Sequence, residues 1–278
     1  MAEPALKTSF RPAPFDAVAE TYDETFTMSR IGRAQRQVVT QELDKVFLPG
    51  QHILELNCGT GVDALHLASR GVEVLACDSA PRMIAVARRK AARAWLNVPP
   101  EFRVLETEEI ETLLEGKGSG RFDGAFSNFA GLNCVGDLRA VASGLASLLR
   151  PGAKAVLCLF GPFCLWEIMW HLGGANPAKA FRRLSTKPAI VQLPGTASIE
   201  VHYTRVRRLI RTFAPNFRLL RWKGVGVAVP PSYLETLALR FPTTLNLAVK
   251  ADAVLGRCPL IRAMADHVLL TFERVKGQ

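Results

Sequence analysis

The sequence contains no apolar run of membrane-spanning length. Its longest, Ala155 to Trp166, is broken by Gly161-Pro162 and stopped by Glu167, well short of the roughly 20 residues a spanning helix needs. The N-terminal MAEPALKTSFRPAPF lacks the apolar core of a signal peptide, so a cytoplasmic protein is expected. No Cys-x-x-Cys pair occurs among the six cysteines, and Cys58, Cys77 and Cys158 lie in or beside apolar runs. Free, buried thiols are therefore expected instead of a disulfide framework. No histidine–cysteine cluster has metal-ligand spacing, so no metal is expected. There is no internal repeat and no low-complexity tract, which excludes solenoids and arrays.

What is present is an ordinary globular composition, 49% hydrophobic and 22% charged over 278 residues, enough to bury a substantial core. The formal charge of +10 is the unusual figure, and it is local. Eleven basic residues lie between Lys179 and Lys223 (Lys179, Arg182, Arg183, Lys187, Arg205, Arg207, Arg208, Arg211, Arg218, Arg221, Lys223) against one acid, Glu200. The remainder of the chain is balanced. Three readings are open for 179–223: a solvated face, peripheral contact with an anionic membrane, or contact with RNA. Nucleic acid ranks last, because Phe181, Tyr203, Phe213, Phe217 and Trp222 are the only aromatics there and several sit on apolar stripes.

Patterning alternates along the chain. Residues 1–14 are Pro-rich and expected to be loose, and helical periodicity follows from Phe15 to Val46. Strands are expected at 53–56, 72–77, 102–105, 122–128 and 153–160, with helices at 59–69, 81–95 and 138–149 between them. This rhythm predicts an α/β fold with a doubly wound, Rossmann-like sheet, mostly parallel. After Phe160 it fails. Residues 161–203 are expected to be an irregular or helical insertion, 204–213 an amphipathic helix, and 217–229 a strand broken near Gly224-Val225-Gly226. A second helical insertion is expected over 230–265, followed by an antiparallel closing strand at 267–275. The reading is one domain over 1–278, with a core at 15–160 and two lid insertions.

The chemistry-bearing segment is Glu55-Leu56-Asn57-Cys58-Gly59-Thr60-Gly61, at the end of the first strand and before a helix. Gly59 and Gly61 let backbone approach a ligand, and the helix N-terminus offers free N–H groups. Asp78 ends the second strand, where a carboxylate accepts hydrogen bonds from a ribose diol. Any adenosine-containing cofactor fits this much. Gly59-Thr60-Gly61-Val62-Asp63-Ala64 also satisfies the dinucleotide pattern, leaving an NAD(P)-dependent oxidoreductase open. Asp63, however, sets a negative charge where pyrophosphate would rest. S-adenosylmethionine (SAM), with an ammonium and a sulfonium, suits acidic neighbours such as Glu55.

Glu-x-Asn-x-Gly-x-Gly with Asp78 resembles motif I and the second-strand acid of the class I SAM-dependent methyltransferases. The leader Phe15-Asp16-Ala17-Val18-Ala19-Glu20-Thr21-Tyr22-Asp23 is similar to the opening of the ubiquinone/menaquinone-biosynthesis type. Phe122 to Asn128 and Leu149-Arg150-Pro151-Gly152-Ala153 resemble the family's fourth strand and the turn before its fifth. The resemblance implies SAM as cofactor. It places Gly59 and Gly61 along the methionine, Glu55 on the ammonium side, Asp78 on the ribose, and Ser79 and Met83 near the adenine. Glu106 and Thr107 would meet the adenine amino group, Asn128 and Phe129 would lie beside the methyl, and Tyr22 would close over the carboxylate. Asn57 replaces the family's first Gly; Asn tolerates a left-handed backbone. Glu106 stands where Asp is commoner.

Ser127-Asn128-Phe129-Ala130-Gly131 lacks the Pro-Pro box of adenine and glutamine N-methyltransferases, which argues against those acceptors. Phe163, Leu165, Trp166, Ile168, Met169, Trp170, Tyr233, Leu237 and Phe241 suggest an apolar pocket for a small aromatic or lipophilic acceptor, methylated on oxygen or carbon. A general base is needed only if the acceptor must lose a proton. Of five histidines, His171 and His202 flank the first insertion and are the candidates, each with an ordinary structural role as the alternative.

Overall fold

The computed structural model describes residues 13–114, 120–193 and 198–276; the first twelve of the Pro-rich residues expected to be loose lie outside these. The leader is not one helix. A 3-10 turn at Pro14–Val18 and a π-type turn at Asp23–Thr27 precede α1, Arg30–Val46. Ser29 sets the break by capping α1, its Oγ accepting from Gly32 N at 2.9 Å. Gly32 is needed there, because a Cβ would stand 1.9 Å from the Phe26 carbonyl oxygen.

The alternating core follows as β1 His52–Leu56, α2 Val62–Ser69, β2 Glu73–Asp78, α3 Pro81–Arg93, β3 Glu101–Val104, β4 Phe122–Ser127, α4 Leu138–Leu148 and β5 Leu149–Phe160. The first insertion contains α5 Leu165–Gly173, α6 Pro177–Ala180, and strands β6 Ala189–Gln192 and β7 Ser198–Val201. After it come α7 Val206–Phe213, β8 Phe217–Val225, α8 Glu235–Arg240, α9 Pro242–Leu255 and β9 His267–Arg274. The main sheet has seven strands in the order β3-β2-β1-β4-β5-β9-β8, with β9 antiparallel to both neighbours. Consecutive strand residues face opposite, buried sides, as a parallel sheet covered on both faces requires. Leu54, Leu75, Phe122 and Leu157 pack under α4 and α7, while Ile53, Val74, Phe126 and Val156 pack under α1, α2 and α3. The strand order reverses between the parallel neighbours β1 and β4, so the crevice above their C-terminal ends is the topological place for a ligand.

Two details differ from the expected pattern. The first insertion holds an antiparallel pair, β6 with β7, because Ile190, Val191, Ile199 and Val201 are β-branched residues that favour extended backbone. Strand β8 ends at Val225, since the next N–H groups turn onto a carboxylate. Asp252 of α9 accepts from Gly226 at 2.9 Å, Val227 at 2.6 Å and Ala228 at 2.7 Å. The second insertion is further tied to the leader by Glu235, which accepts from the N–H groups of Arg30 and Ile31 at 2.7 and 3.0 Å. A carboxylate there satisfies orphan donors of α1 and complements its dipole.

Candidate functional site

The loop after β1 carries three left-handed residues, Asn57 at φ 55°, Gly59 at 53° and Gly61 at 73°. Asn57 holds that conformation through its side chain. Its Nδ2 donates to Thr107 Oγ1 at 2.8 Å, and its Oδ1 accepts from Ser127 Oγ at 3.0 Å. It thus joins the ends of three strands. The two glycines differ in purpose. A Cβ on Gly59 would meet nothing within 4 Å, whereas one on Gly61 would lie 2.6 Å from the Phe102 ring. Gly59 keeps a ligand-facing surface clear; Gly61 lets α2 pack against β3. Asp78 splints the loop: its carboxylate accepts from Gly59 N at 2.8 Å and Ala80 N at 2.9 Å. Burial raises its pKa, and those two N–H groups oppose the rise.

Beside this loop lies a cavity lined by Tyr22, Thr27, Arg36, Glu55, Asn57, Cys58, Gly59, Thr60, Val62, Asp63, Asn128 and Phe129. Its enclosed space, about 30 Å³, holds little more than a water molecule. Four polar atoms on its walls are buried without a hydrogen-bond partner: Glu55 Oε2, Asn128 Oδ1, Arg36 Nε and Thr27 Oγ1. Buried polar groups are ordinarily satisfied, so the set points to a polar ligand. Two acceptors and a cationic donor match the ammonium and carboxylate of an amino acid. Burial, then the neighbouring Asp63, holds the Glu55 carboxyl well above the usual carboxylate range, with Arg36 pulling it down. Arg36 Nη1 donates to Asp63 Oδ2 at 2.5 Å, and its guanidinium lies 4.5 Å from the Phe129 ring centroid. Asn128 Nδ2 donates to the same Asp63 oxygen at 2.9 Å. Beyond β4, Phe129 at φ 49° and Ala130 at 68° hold left-handed backbone, strain of the kind that collects at functional sites.

A family model described as a methyltransferase domain matches residues 53–152. A demethylmenaquinone methyltransferase of Clavibacter sepedonicus is 30% identical over 148 residues, 53% of this chain and 57% of that protein. A ubiquinone biosynthesis O-methyltransferase of Xanthomonas campestris pv. campestris is 34% identical over 113 residues, 41% and 44% of the two chains. The chain spans about half the length of these curated relatives. In fold, it superposes on a Listeria monocytogenes structure described as an S-adenosylmethionine-dependent methyltransferase. The TM-score is 0.60 at 14% identity, covering 88% of this chain and 99% of the other. Residues 53–152 thus match a methyltransferase domain in sequence, and the chain shares the fold of that Listeria structure. Asp63, on the first turn of α2, is buried and carries its carboxylate at the head of that helix.

Of the residues expected to bind the cofactor, Tyr22, Glu55, Asn57, Gly59, Asn128 and Phe129 line the cavity, and Gly61, Asp78, Ser79, Met83, Glu106 and Thr107 do not. Met83 is buried beneath Val18 and Ala19, with Phe15 and Tyr22 packed against the same cluster. The leader therefore lies over the start of α3, where Asp16 also accepts from Arg82 N at 2.8 Å. Asp23 fastens it: Thr60 Oγ1 and Lys90 Nζ each donate to its carboxylate at 2.6 Å. Thr107 is buried with its hydroxyl engaged by Asn57, while Glu106 is exposed, its pKa raised by partial burial and by Glu108 and Glu109. Ser79 is half-buried at the head of α3.

His171 and His202 are not on the cavity wall. The His171 ring stacks on Tyr233 at 6.0 Å, and His202 is held through its backbone by Asn133. Of the nine expected lid residues, Met169, Trp170, Tyr233 and Phe241 are exposed. Trp166 turns inward, its Nε1 donating to Val227 O at 3.1 Å. Arg36 and Thr27 were not foreseen. The available signal for Arg36 was its place on α1, three residues before Val39 and seven before Leu43, an arginine on an apolar stripe.

Proposed function

We propose that this chain transfers a methyl group from SAM to an oxygen or carbon of a small aromatic acceptor, a hydroxylated or quinone-type ring. The unpartnered polar set around Glu55, Asn128, Arg36 and Thr27 carries the reading, because it matches the amino-acid end of SAM in charge and hydrogen-bond sense. Bound SAM supplies a sulfonium-activated methyl. The protein's part is alignment and exclusion of water, which supply most of the acceleration for an in-line displacement. Glu55 and Asn128 would hold the ammonium, Arg36 the carboxylate, and Asp78 the ribose. The leader closes over them through Asp23. The acceptor class is supported by the relatives named as a demethylmenaquinone methyltransferase and a ubiquinone biosynthesis O-methyltransferase. Titration calorimetry with S-adenosylhomocysteine and with NAD tests the cofactor. Binding of NAD without S-adenosylhomocysteine overturns it.

A second feature concerns the membrane. Arg205, Arg207, Arg208 and Arg211 are exposed at the start and along the outer side of α7, and none makes an ion pair among the described residues. We infer that α7 contacts anionic lipid surfaces from which an apolar acceptor is drawn, each arginine contributing about 1 kcal/mol near such a surface. Cosedimentation with phosphatidylcholine vesicles, with and without phosphatidylglycerol, checks this. Equal binding to both, or preferential binding to RNA, refutes it.

A further inference from the structure

We propose that His267 accepts the proton of the acceptor hydroxyl during methyl transfer, held for that task by Asp266 and Arg183; this rests on the methyltransferase reading above. The histidine stands near the end of the chain, yet topology returns it to the functional edge. Because β9 runs antiparallel, its first residue pairs with the last residue of β5, Phe160, and with Val225 at the end of β8. That is the side on which β4 delivers Asn128 and Phe129. The imidazole is 5% exposed, stacks on Phe160 at 4.7 Å and meets the edge of Phe129 at 5.6 Å. Phe129 is itself a wall of the cofactor cavity. One side chain therefore separates the imidazole from the place where methionine would lie.

The surroundings suit a base. Nδ1 has no hydrogen-bond partner and lies 3.4 Å from Asp266 Oδ2. That carboxylate is fixed by Arg183 Nη2 at 2.7 Å and Gln35 Nε2 at 3.3 Å. Arg183 also donates to the Asp266 and Gly161 carbonyls and to Glu167, which Arg182 pairs in turn. Two arginines face two carboxylates, so the cluster is balanced before the imidazole is charged. Tyr203, Arg36 and Cys158 also lie against Phe160 or Phe129, with Asp63 close enough to act on Cys158. Burial and Arg183 push the His267 pKa down while Asp266 opposes them. The ring is therefore a free base at neutral pH, next to an anion able to stabilise its protonated form. Nδ1 faces the Asp266 carboxylate, so a proton taken at Nε2 would be stabilised from the opposite side of the ring.

A phenol ionises near about pH 10, so removing its proton at neutral pH raises the nucleophilicity of its oxygen and of the ring carbons ortho and para to it. In the oxygen case the O–H bond breaks and its proton passes to the imidazole. The O–CH3 bond forms as CH3–S breaks, and the electron pair stays on sulfur. The positive charge lost by the sulfonium ends on His267, which releases the proton to solvent.

The test compares the unaltered chain with His267→Gln, using catechol and 4-nitrocatechol as probes, the second being far more acidic. The expected result is a fall in kcat for catechol of about 10²–10⁴-fold, contracting strongly for 4-nitrocatechol, with the dissociation constant for S-adenosylhomocysteine unchanged. A readout independent of turnover is the spectrum of 4-nitrocatechol bound beside S-adenosylhomocysteine, below the free probe's pKa. The unaltered chain is expected to bind it as the phenolate and His267→Gln as the phenol. Equal losses for both probes, a parallel loss of cofactor affinity, or unaltered turnover would overturn the proposal. So would a chain that binds S-adenosylhomocysteine yet neither methylates nor ionises the probes. Failure to bind S-adenosylhomocysteine at all instead strikes the methyltransferase reading itself.

Discussion

Replacing Glu55 by glutamine keeps the shape of a buried side chain and removes only its ability to become an anion. Glu55 is 2% exposed, and burial with Asp63 nearby favours its neutral form. A cation arriving at Oε2, which has no partner, reverses that preference, so cofactor binding should expel the Glu55 proton. A hydrogen bond to a charged group is worth about 1.5–3 kcal/mol, so Glu55→Gln should weaken S-adenosylhomocysteine binding about 10- to 150-fold. Calorimetry in two buffers of different ionisation enthalpy reads both quantities. The unaltered chain is expected to release a proton on binding and the variant none. Stability moves the opposite way. At low pH Glu55 is neutral in both folded and unfolded chains. As pH rises past about 4.3 the unfolded carboxyl ionises first, so stability falls until the folded group follows. Glu55→Gln lacks that slope, so its melting temperature should match the unaltered chain at about pH 4 and below, where Glu55 is neutral in both states, and exceed it at higher pH. Unchanged affinity and proton count in the variant would refute the placement of the ammonium.

Arg36→Lys keeps a cation beside Asp63 but loses the planar fork, and should weaken S-adenosylhomocysteine binding about tenfold with little change in melting temperature. Gly61→Ala meets the Phe102 ring at 2.6 Å in a left-handed conformation, and chemical denaturation should register a loss of at least about 2 kcal/mol. Asp252→Ala strips the acceptor from the N–H groups of Gly226, Val227 and Ala228; a loss of about 3 kcal/mol is expected, together with faster proteolysis between β8 and α8. Asp23→Asn weakens the grip of the leader on Thr60 and Lys90, so stopped-flow measurements should show faster association and faster dissociation of S-adenosylhomocysteine.

The alternating core was readable because its signals are local. Apolar runs, turn residues and the Asn57-to-Gly61 loop each declare their conformation within a few residues, and a right-handed parallel sheet follows from their order. Contacts between distant segments were not readable. The capping of α1 by Glu235 and the holding of 226–228 by Asp252 depend on where the second insertion returns, and no spacing announces it. The break of the leader at Ser29 could have been read from a capping residue preceding a periodic run. His267 was also within reach, since an expected antiparallel closing strand places its first residue at the cofactor edge.

The basic segment shows most plainly how structure redistributes a property of composition. Arg182 and Arg183 are paired with Glu167, and Arg183 also with Asp266. Arg218 is paired with Glu273, while Arg221 and Lys223 share Glu42. All of these acids lie outside 179–223, in parts of the chain that looked balanced on their own. The pairs at Glu42 and Glu273 join α1 and β9 to the edge strand β8; the Glu167 pairs hold the first insertion to itself, and Arg183 with Asp266 ties it to the start of β9. Part of the local excess is therefore internal bracing, of β8 against its neighbours and of the first insertion within itself and against β9. What remains is concentrated on α7, whose Leu209 and Phe213 are buried beneath the sheet while its arginines face outward. An amphipathic helix of that kind supplies surface charge without altering the cofactor site. Reversing Arg207, Arg208 and Arg211 to glutamate should abolish binding to phosphatidylglycerol vesicles and leave the affinity for S-adenosylhomocysteine as it was. A common loss of both would place α7 in the cofactor machinery and refute this division of labour.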